Sequence, residues 1–440
     1  MMKYEKYKAS GIEWLGDIPT QWKIKRVKDL GVYQSGEYIN ANEFDEENPY
    51  PVYGGNSFRG YANKYNTEGD YVLIGRQGAL CGNINYGSGK FWATEHCVVV
   101  YHKRKINVKW LGELLRVMNL NQYATSTAQP GLSVEKIKRL ELPVPPPQEQ
   151  TAIAQYLDTK TQAIDKKINL LTKKAETYKE LRKSIINEAV TKGLNPDLWD
   201  LKINRISEKE NQANPIIKKI KVQTKDGGIE WIGKIPEHWG VKRFKDVVSK
   251  YTTGGTPPTA NTGYFNGNNT WICISDISEE KYISNSKIKL TSEAIKEANI
   301  LKTPKGSLLY SFKLSIGKMA FVTKDVYTNE AILSIFPNKN IDLEYYYFML
   351  PMFMYLAATE NIYGAKMLNQ KLIASAFILH PPKEEQTAIA NYLDEKTQKI
   401  DAIVTNINRQ IETLKELRKT LINDVVTGKI KVSEPLIKND

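Results

Sequence analysis

Residues 149–158 read EQTAIAQYLD and residues 385–394 read EQTAIANYLD. The same offset of 236 carries Asp165 onto Asp401, the run KELRK at 179–183 onto 415–419, and Val190 onto Val426. Within this repeat Leu157, Ile164, Leu171, Tyr178 and Ile185 stand seven apart, as do Leu393, Ile400, Ile407, Leu414 and Leu421. Ile168, Ala175, Val404, Ile411 and Val425 fall between them. Alternating steps of three and four over about four heptads predict a coiled-coil seam on each of two long helices. Pro145-Pro146-Pro147 and Pro381-Pro382 end the preceding segments and start the helices. About 40 helical residues at 1.5 Å rise make a rod of roughly 60 Å. The simplest partner for each seam is the other seam in the same chain.

A second repeat lies upstream of each helix. GIEWLGDIPTQWKIKRVKD at 11–29 matches GIEWIGKIPEHWGVKRFKD at 228–246, pairing Trp14 with Trp231, Pro19 with Pro236, Trp22 with Trp239 and Arg26 with Arg243. The offset here is 217, so the stretch between repeats is 19 residues longer in the second half. Those stretches, about 23–144 and 240–380, look unlike each other. Both carry short β-branched and aromatic runs, among them YVLIG (71–75), HCVVVYH (96–102), TWICIS (270–275), GSLLYSF (306–312) and AILSIF (331–336). Gly, Asn and Pro punctuate them, which predicts irregular mixed sheets with long loops. The expected layout is a first variable domain at 1–147, a long helix at 148–193, a linker at 194–227, a second variable domain at 228–382, a second helix at 383–430 and a tail at 431–440. The fold class is α+β: two mixed α/β domains separated by two long antiparallel coiled-coil helices, with an internal pseudo-twofold repeat.

A chain of 440 residues exceeds one compact core, and 41% hydrophobic residues exclude a mainly disordered one. Lys and Arg number 62 against 49 Asp and Glu, and the resulting +13 suggests a polyanionic partner. No run of 18 apolar residues exists and no apolar stretch follows the basic start, so neither a membrane span nor a secretory signal is expected. Three scattered cysteines, Cys81, Cys97 and Cys273, make no disulfide scaffold, and a cytoplasmic location is the expectation.

Catalytic signatures are missing. The stretch GSGKF at 87–91 lacks the leading Gly of a phosphate-binding loop and has Phe91 after the Lys. No Gly-x-Gly-x-x-Gly follows a strand, and Asn48-Pro49-Tyr50 is one Pro short of an adenine-methyltransferase turn. Cys81, His96, Cys97 and His102 lack paired metal-ligand spacing. Pro196-Asp197 is followed too soon by Asp200-Leu201-Lys202 for a nuclease. No catalytic residue, metal site or cofactor is assigned. What the loops do hold is basic and amide side chains suited to base edges and phosphates: Asn56, Arg59, Arg76, Gln77 and Lys90 in the first domain, and Asn268, Lys313, Ser315, Lys318 and Lys366 in the second. Arg76 and Lys313 occupy similar places, shortly after an apolar strand.

With these residues in view, the chain resembles the specificity subunit of Type I restriction-modification systems. The resemblance rests on the two GIEW starts, on the openings YPVYGGNSFRGY (50–61) and TGGTPPTANTGYFNGNNTWICISDI (253–277), and on the endings AQPGLSVEKIKRLELPVPPP (128–147) and GAKMLNQKLIASAFILHPP (364–382) before each EQTAIA helix. The second ending departs from the first, with Ala365 where Gln129 stands. The resemblance implies that each variable domain is a target recognition domain reading one half of an asymmetric, gapped site on double-stranded DNA. It implies antiparallel helices that dock two modification subunits, adenine-N6 methyltransferases using S-adenosylmethionine, and through them restriction subunits using ATP and Mg. The chain itself is then non-catalytic. The competing reading is a coiled-coil scaffold with two ligand-binding domains and no DNA; salt-dependent duplex binding separates the two.

Overall fold

The computed structural model describes residues 2–125, 130–194, 223–228, 232–313, 315–360 and 366–432. The expected linker lies mostly outside these residues, as do Trp231, Gln129, Ala365 and the tail beyond 432. The chain forms two units, residues 1–173 with 407–440, and residues 174–406. Each long helix is therefore shared between both units.

In the first unit, strands β1 (Gly31–Ser35), β5 (Tyr71–Gly75), β6 (Ile84–Gly87) and β8 (Cys97–His102) form one sheet in the order β1-β8-β5-β6. Strands β2 (Tyr50–Tyr53), β3 (Phe58–Ala62), β4 (Thr67–Glu68) and β7 (Lys90–Ala93) form a second, in the order β3-β2-β7-β4, with β2 and β7 parallel. The apolar run of β5 is continuous because both its faces are covered. Val72 and Ile74 enter the main core with Val98 and Val100, whereas Leu73 joins Phe91, Cys97 and Val99. Helix α1 (Val108–Val117) packs Trp110, Leu111, Leu114 and Leu115 into that main core.

The second unit repeats the plan. Strands β9 (Tyr251–Thr253), β13 (Leu308–Ser311), β14 (Met319–Val322) and β16 (Ile332–Ile335) follow the same order, β9-β16-β13-β14, and one further strand, β11 (Tyr282–Ile283), adds to the β14 edge. Strand β10 (Asn269–Ile272) pairs with β12 (Lys289–Leu290) and, in parallel, with β15 (Tyr327–Thr328). Helix α3 (Leu343–Leu356) follows β16 in the chain as α1 follows β8.

The long helices are α2 (Pro147–Lys192) and α4 (Lys383–Val426). Both stop at a glycine in the left-handed region, Gly193 at φ 76° and Gly428 at φ 79°, so α4 ends before the 430 expected of it. Each glycine is also a close contact for a repeated start segment. Gly428 lies against Pro19 and Trp22 in the first unit, and Gly193 against Pro236 and Trp239 in the second. Along the stripes Leu157, Tyr178, Ile185, Leu393, Ile400, Ile407 and Leu421 are buried, while Ile164, Leu171 and Leu414 are half-buried. In the first unit Ile153, Ala154 and Leu157 of α2 share a core with Leu421, Ile422, Val425 and Val426 of α4. Polar groups interrupt the stripes at matched places. Thr161 and Thr397 are buried, Arg418 Nε donates to Asp165 at 2.9 Å in the first unit, and Arg182 Nε donates to Asp401 at 3.2 Å in the second.

Candidate nucleic-acid interface

Gly75 and Gly36 in the first unit let loops approach where a Cβ would collide. A Cβ on Gly75 would stand 1.6 Å from the Gly55 carbonyl oxygen, and one on Gly36 would stand 2.0 Å from that of Ala93. The loop after β2 therefore lies on the turn after β5. Asn56 is fixed there: its carbonyl accepts from Asn83 Nδ2 and Asn85 Nδ2, both at 2.9 Å, and its Oδ1 accepts from Asn83 at 3.0 Å. The stem of Arg59 crosses Gly54. Arg76 is half-buried, its Nη1 donating to Ser35 Oγ at 2.8 Å, and exposed Gln77 forms a bridge with Gly131. The structure thus gathers Asn56, Arg59, Arg76 and Gln77. Lys90 stands apart, 4.8 Å over the Tyr65 ring and opposite Glu68.

In the second unit the turn from β13 to β14 is tied around Ser311. Its Oγ donates to the Ser315 carbonyl and accepts from the Lys318 backbone N–H at 2.9 Å. Lys318 Nζ reaches the Ile277 carbonyl at 3.0 Å, and exposed Lys313 lies 5.9 Å from the Phe312 ring. Lys313, Ser315 and Lys318 are therefore together. Asn268 precedes β10, at the opposite end of that strand from residues 273–277. Lys366 pairs with Glu360 at 2.9 Å and covers the Tyr355 ring.

Ladder register refines one sequence equivalence. Arg76 N–H donates to the His96 carbonyl and Phe312 N–H to the Ala331 carbonyl, each at 3.0 Å and each one residue past a matched pair, Gly75 with Cys97 and Ser311 with Ile332. Arg76 thus corresponds to Phe312, and Lys313 to Gln77. The polar clasps Asn83, Asn85 and Ser35 carry no signal in the sequence beyond two asparagines spaced by two at the start of β6. Burial pushes the thiols of Cys97 and Cys273 up to about 12, so both stay protonated at neutral pH. Among the described residues no three His, Cys, Asp or Glu side chains gather as metal ligands, and no helix is long and apolar enough to cross a membrane.

Residues 19–174 and 236–413 match the family model described as Type I restriction modification DNA specificity domain. The chain belongs to that family. It is 44% identical over 140 residues to the Type I restriction enzyme EcoprrI specificity subunit of Escherichia coli, covering 31% of this chain and 35% of that relative. It is 29% identical over 198 residues to the MjaIX specificity subunit of Methanocaldococcus jannaschii, covering 44% of this chain and 45% of the relative. These two matches span less than half the relatives' length. A 23% match to the putative MjaX specificity subunit of the same organism runs over 98% of both chains. Among solved structures, one concerning complex assembly and conformational transition of the type I R-M system superposes with TM-score 0.68 at 14% identity, covering 94% of this chain and 99% of the other. The HsdS subunit from Thermoanaerobacter tengcongensis superposes with TM-score 0.51 at 14% identity, covering 96% of this chain and all of the other. At that identity the likeness concerns the fold.

Proposed function

We propose that this chain is the DNA-reading subunit of a Type I restriction-modification complex. The observation that carries the reading is one strand order used twice with different side chains at matched turns: Arg76 and Gln77 in one unit, Phe312 and Lys313 in the other. A common scaffold with unlike loops suits two unlike half-sites on one duplex. Phosphates take the lysines and arginines, and base edges take bidentate Arg, Asn and Gln. The ten candidate side chains are the contacts we assign. The seams pair antiparallel along α2 and α4, and the Asp165–Arg418 and Asp401–Arg182 pairs support this: exchanging the two helices exchanges the two pairs. Such internal symmetry offers two equivalent surfaces to two copies of a modification subunit. S-adenosylmethionine, ATP and Mg belong to those partners, the chain alone is non-catalytic, and work on the host's DNA places it in the cytoplasm. Co-expression with its modification subunit, followed by single-molecule mapping of methylated adenine, tests this. A gapped two-part motif is expected, and exchanging residues 240–380 for those of a relative changes one half only. Absence of any motif, or a change in both halves, overturns the reading.

A further inference from the structure

Each long helix begins with nearly the same ten residues yet carries a different variable domain. Two of those residues do matched work. Gln150 Nε2 donates to the Pro145 carbonyl at 3.0 Å, and its Oε1 accepts the backbone N–H of Asn107 at 3.0 Å. Gln386 Nε2 donates to the Pro381 carbonyl at 2.8 Å, and its Oε1 accepts the N–H of Asp342 at 2.9 Å. Asn107 and Asp342 are the N-caps of α1 and α3. Both glutamines are fully buried, so each domain helix starts at a fixed point on its long helix.

That anchoring makes Lys109 and Glu344, the second residues of α1 and α3, equivalent. Eight residues beyond each glutamine stand Asp158 and Asp394. In the first unit Lys109 Nζ meets Asp158 Oδ1 at 3.0 Å. In the second, the equivalent residue is an acid, and two carboxylates would face each other. Lys281 enters between them, its Nζ 2.6 Å from Glu344 Oε2 and 2.5 Å from Asp394 Oδ1. It immediately precedes β11, the strand that the first sheet lacks among the described residues. Its side chain is 18% exposed, with the rings of Tyr282, Tyr347 and Phe348 within 6 Å of its charge. Burial disfavours that charge, but the hydrogen bonds to Asp394 and Glu344 outweigh it and hold the ammonium above the usual lysine range.

We propose that Gln150 with Asp158, and Gln386 with Asp394, form a repeated socket that seats a variable domain on its helix, and that Lys281 is the positioning residue that restores charge balance where the domain presents Glu344. A domain fits this socket only if it brings a cation to the aspartate. The inference rests on contacts inside each unit and does not depend on the DNA reading.

The test is charge-specific rescue in the full chain, read by thermal unfolding. Lys281→Ala lowers the midpoint by about 3–6 °C. Adding Glu344→Lys, which recreates the arrangement of Lys109, recovers at least half of that loss. Lys109→Glu in the first unit is damaging for the same reason, and Asp158→Asn relieves it. If Lys281→Ala yields no soluble chain, recovery of soluble chain by Glu344→Lys is the supporting result. A double variant no better than Lys281→Ala, or Lys281→Ala indistinguishable from wild type, overturns the proposal. Methylation mapping with modification subunits keeps the two failures apart: a wild-type chain that directs no methylation defeats the functional reading and leaves the unfolding result intact.

Discussion

The two variable domains share a strand order while matched positions hold different side chains: Arg76 against Phe312, Gln77 against Lys313, and Asn83 against Lys318, whose carbonyls both accept from the first sheet-end amide. The two long helices share sequence, stripe and ion pairs. The difference has a physical cause. A sheet buried on both faces needs only apolar residues of suitable size, and turns tolerate many sequences, so domains can diverge without losing their fold. The proposed pairing of the two seams, and a socket that accepts two domains, allow much less change.

The largest expected effect breaks the comparison outright. A fragment of residues 1–200 deletes Leu421, Ile422, Val425 and Val426 from the first unit's core. The repeat supplies Ile185, Ile186, Ala189 and Val190 at the matching places of α2. A second copy of the fragment can therefore fill the vacated core, and antiparallel pairing of identical halves is isologous. Sedimentation should give a dimer. With modification subunits, the methylated motif should become a palindrome of the first half-site. A stable monomer would show that the two helices are not interchangeable.

Next in size is the truncation of the repeated tryptophans. Trp22 and Trp239 are fully buried and pack beside the helix-ending glycines Gly428 and Gly193. Trp22→Ala and Trp239→Ala should each cost about 3–5 kcal/mol in denaturant unfolding. Clearly unequal losses would mean that the two start segments are equivalent in sequence but not in load.

A smaller effect tests the loops. Arg76→Glu and Lys313→Glu should weaken duplex binding, by about 1–3 kcal/mol at one base for a base contact, or by a reduced salt slope at every site for a phosphate contact. Titration of wild-type and altered half-sites at several salt concentrations distinguishes the two. Unchanged binding in both variants would remove these residues from the interface.

Much of this layout was legible beforehand, for reasons tied to particular residues. The heptads from Leu157 and Leu393 give α2 and α4 to within a few residues, because a period of 3.5 leaves little ambiguity over such lengths. Runs such as YVLIG and GSLLYSF became strands at Tyr71–Gly75 and Leu308–Ser311, because β-branched and aromatic residues between turn signals fit a covered sheet. Placement of single polar groups was less legible. Nothing around Lys281 in the sequence marks it as a half-buried cation that meets Asp394, 113 residues away, and nothing around Lys366 marks Glu360 as its partner. Charge reports what a side chain can do, while the partner is set by topology.

The smallest effect sharpens the comparison at one position. Val144 ends the strand before α2, and His380 ends the matching strand before α4; their register partners, Lys23 and Gly240, are themselves a repeated pair. Only the second unit thus has a group there that titrates near neutral pH. His380 Nδ1 lies 3.2 Å from the Tyr346 hydroxyl and 3.4 Å from Gln386 Nε2, both of which can donate to a neutral ring. Burial, and then the charge of Lys242, hold its pKa below the usual histidine value. The unfolded chain therefore takes up a proton first as pH falls. Stability from the neutral ring is present above the unfolded value, near 6.5, and is lost as pH drops through it towards the folded value. Denaturant unfolding of wild type and His380→Val between about pH 7.5 and about pH 5.5 isolates this group, because carboxylates titrate alike in both. Wild type should lose ground to the variant as pH falls, by an amount well below the tryptophan losses. Parallel curves would show that the ring finds equally good partners when charged, and that the two strand ends do not differ in this respect.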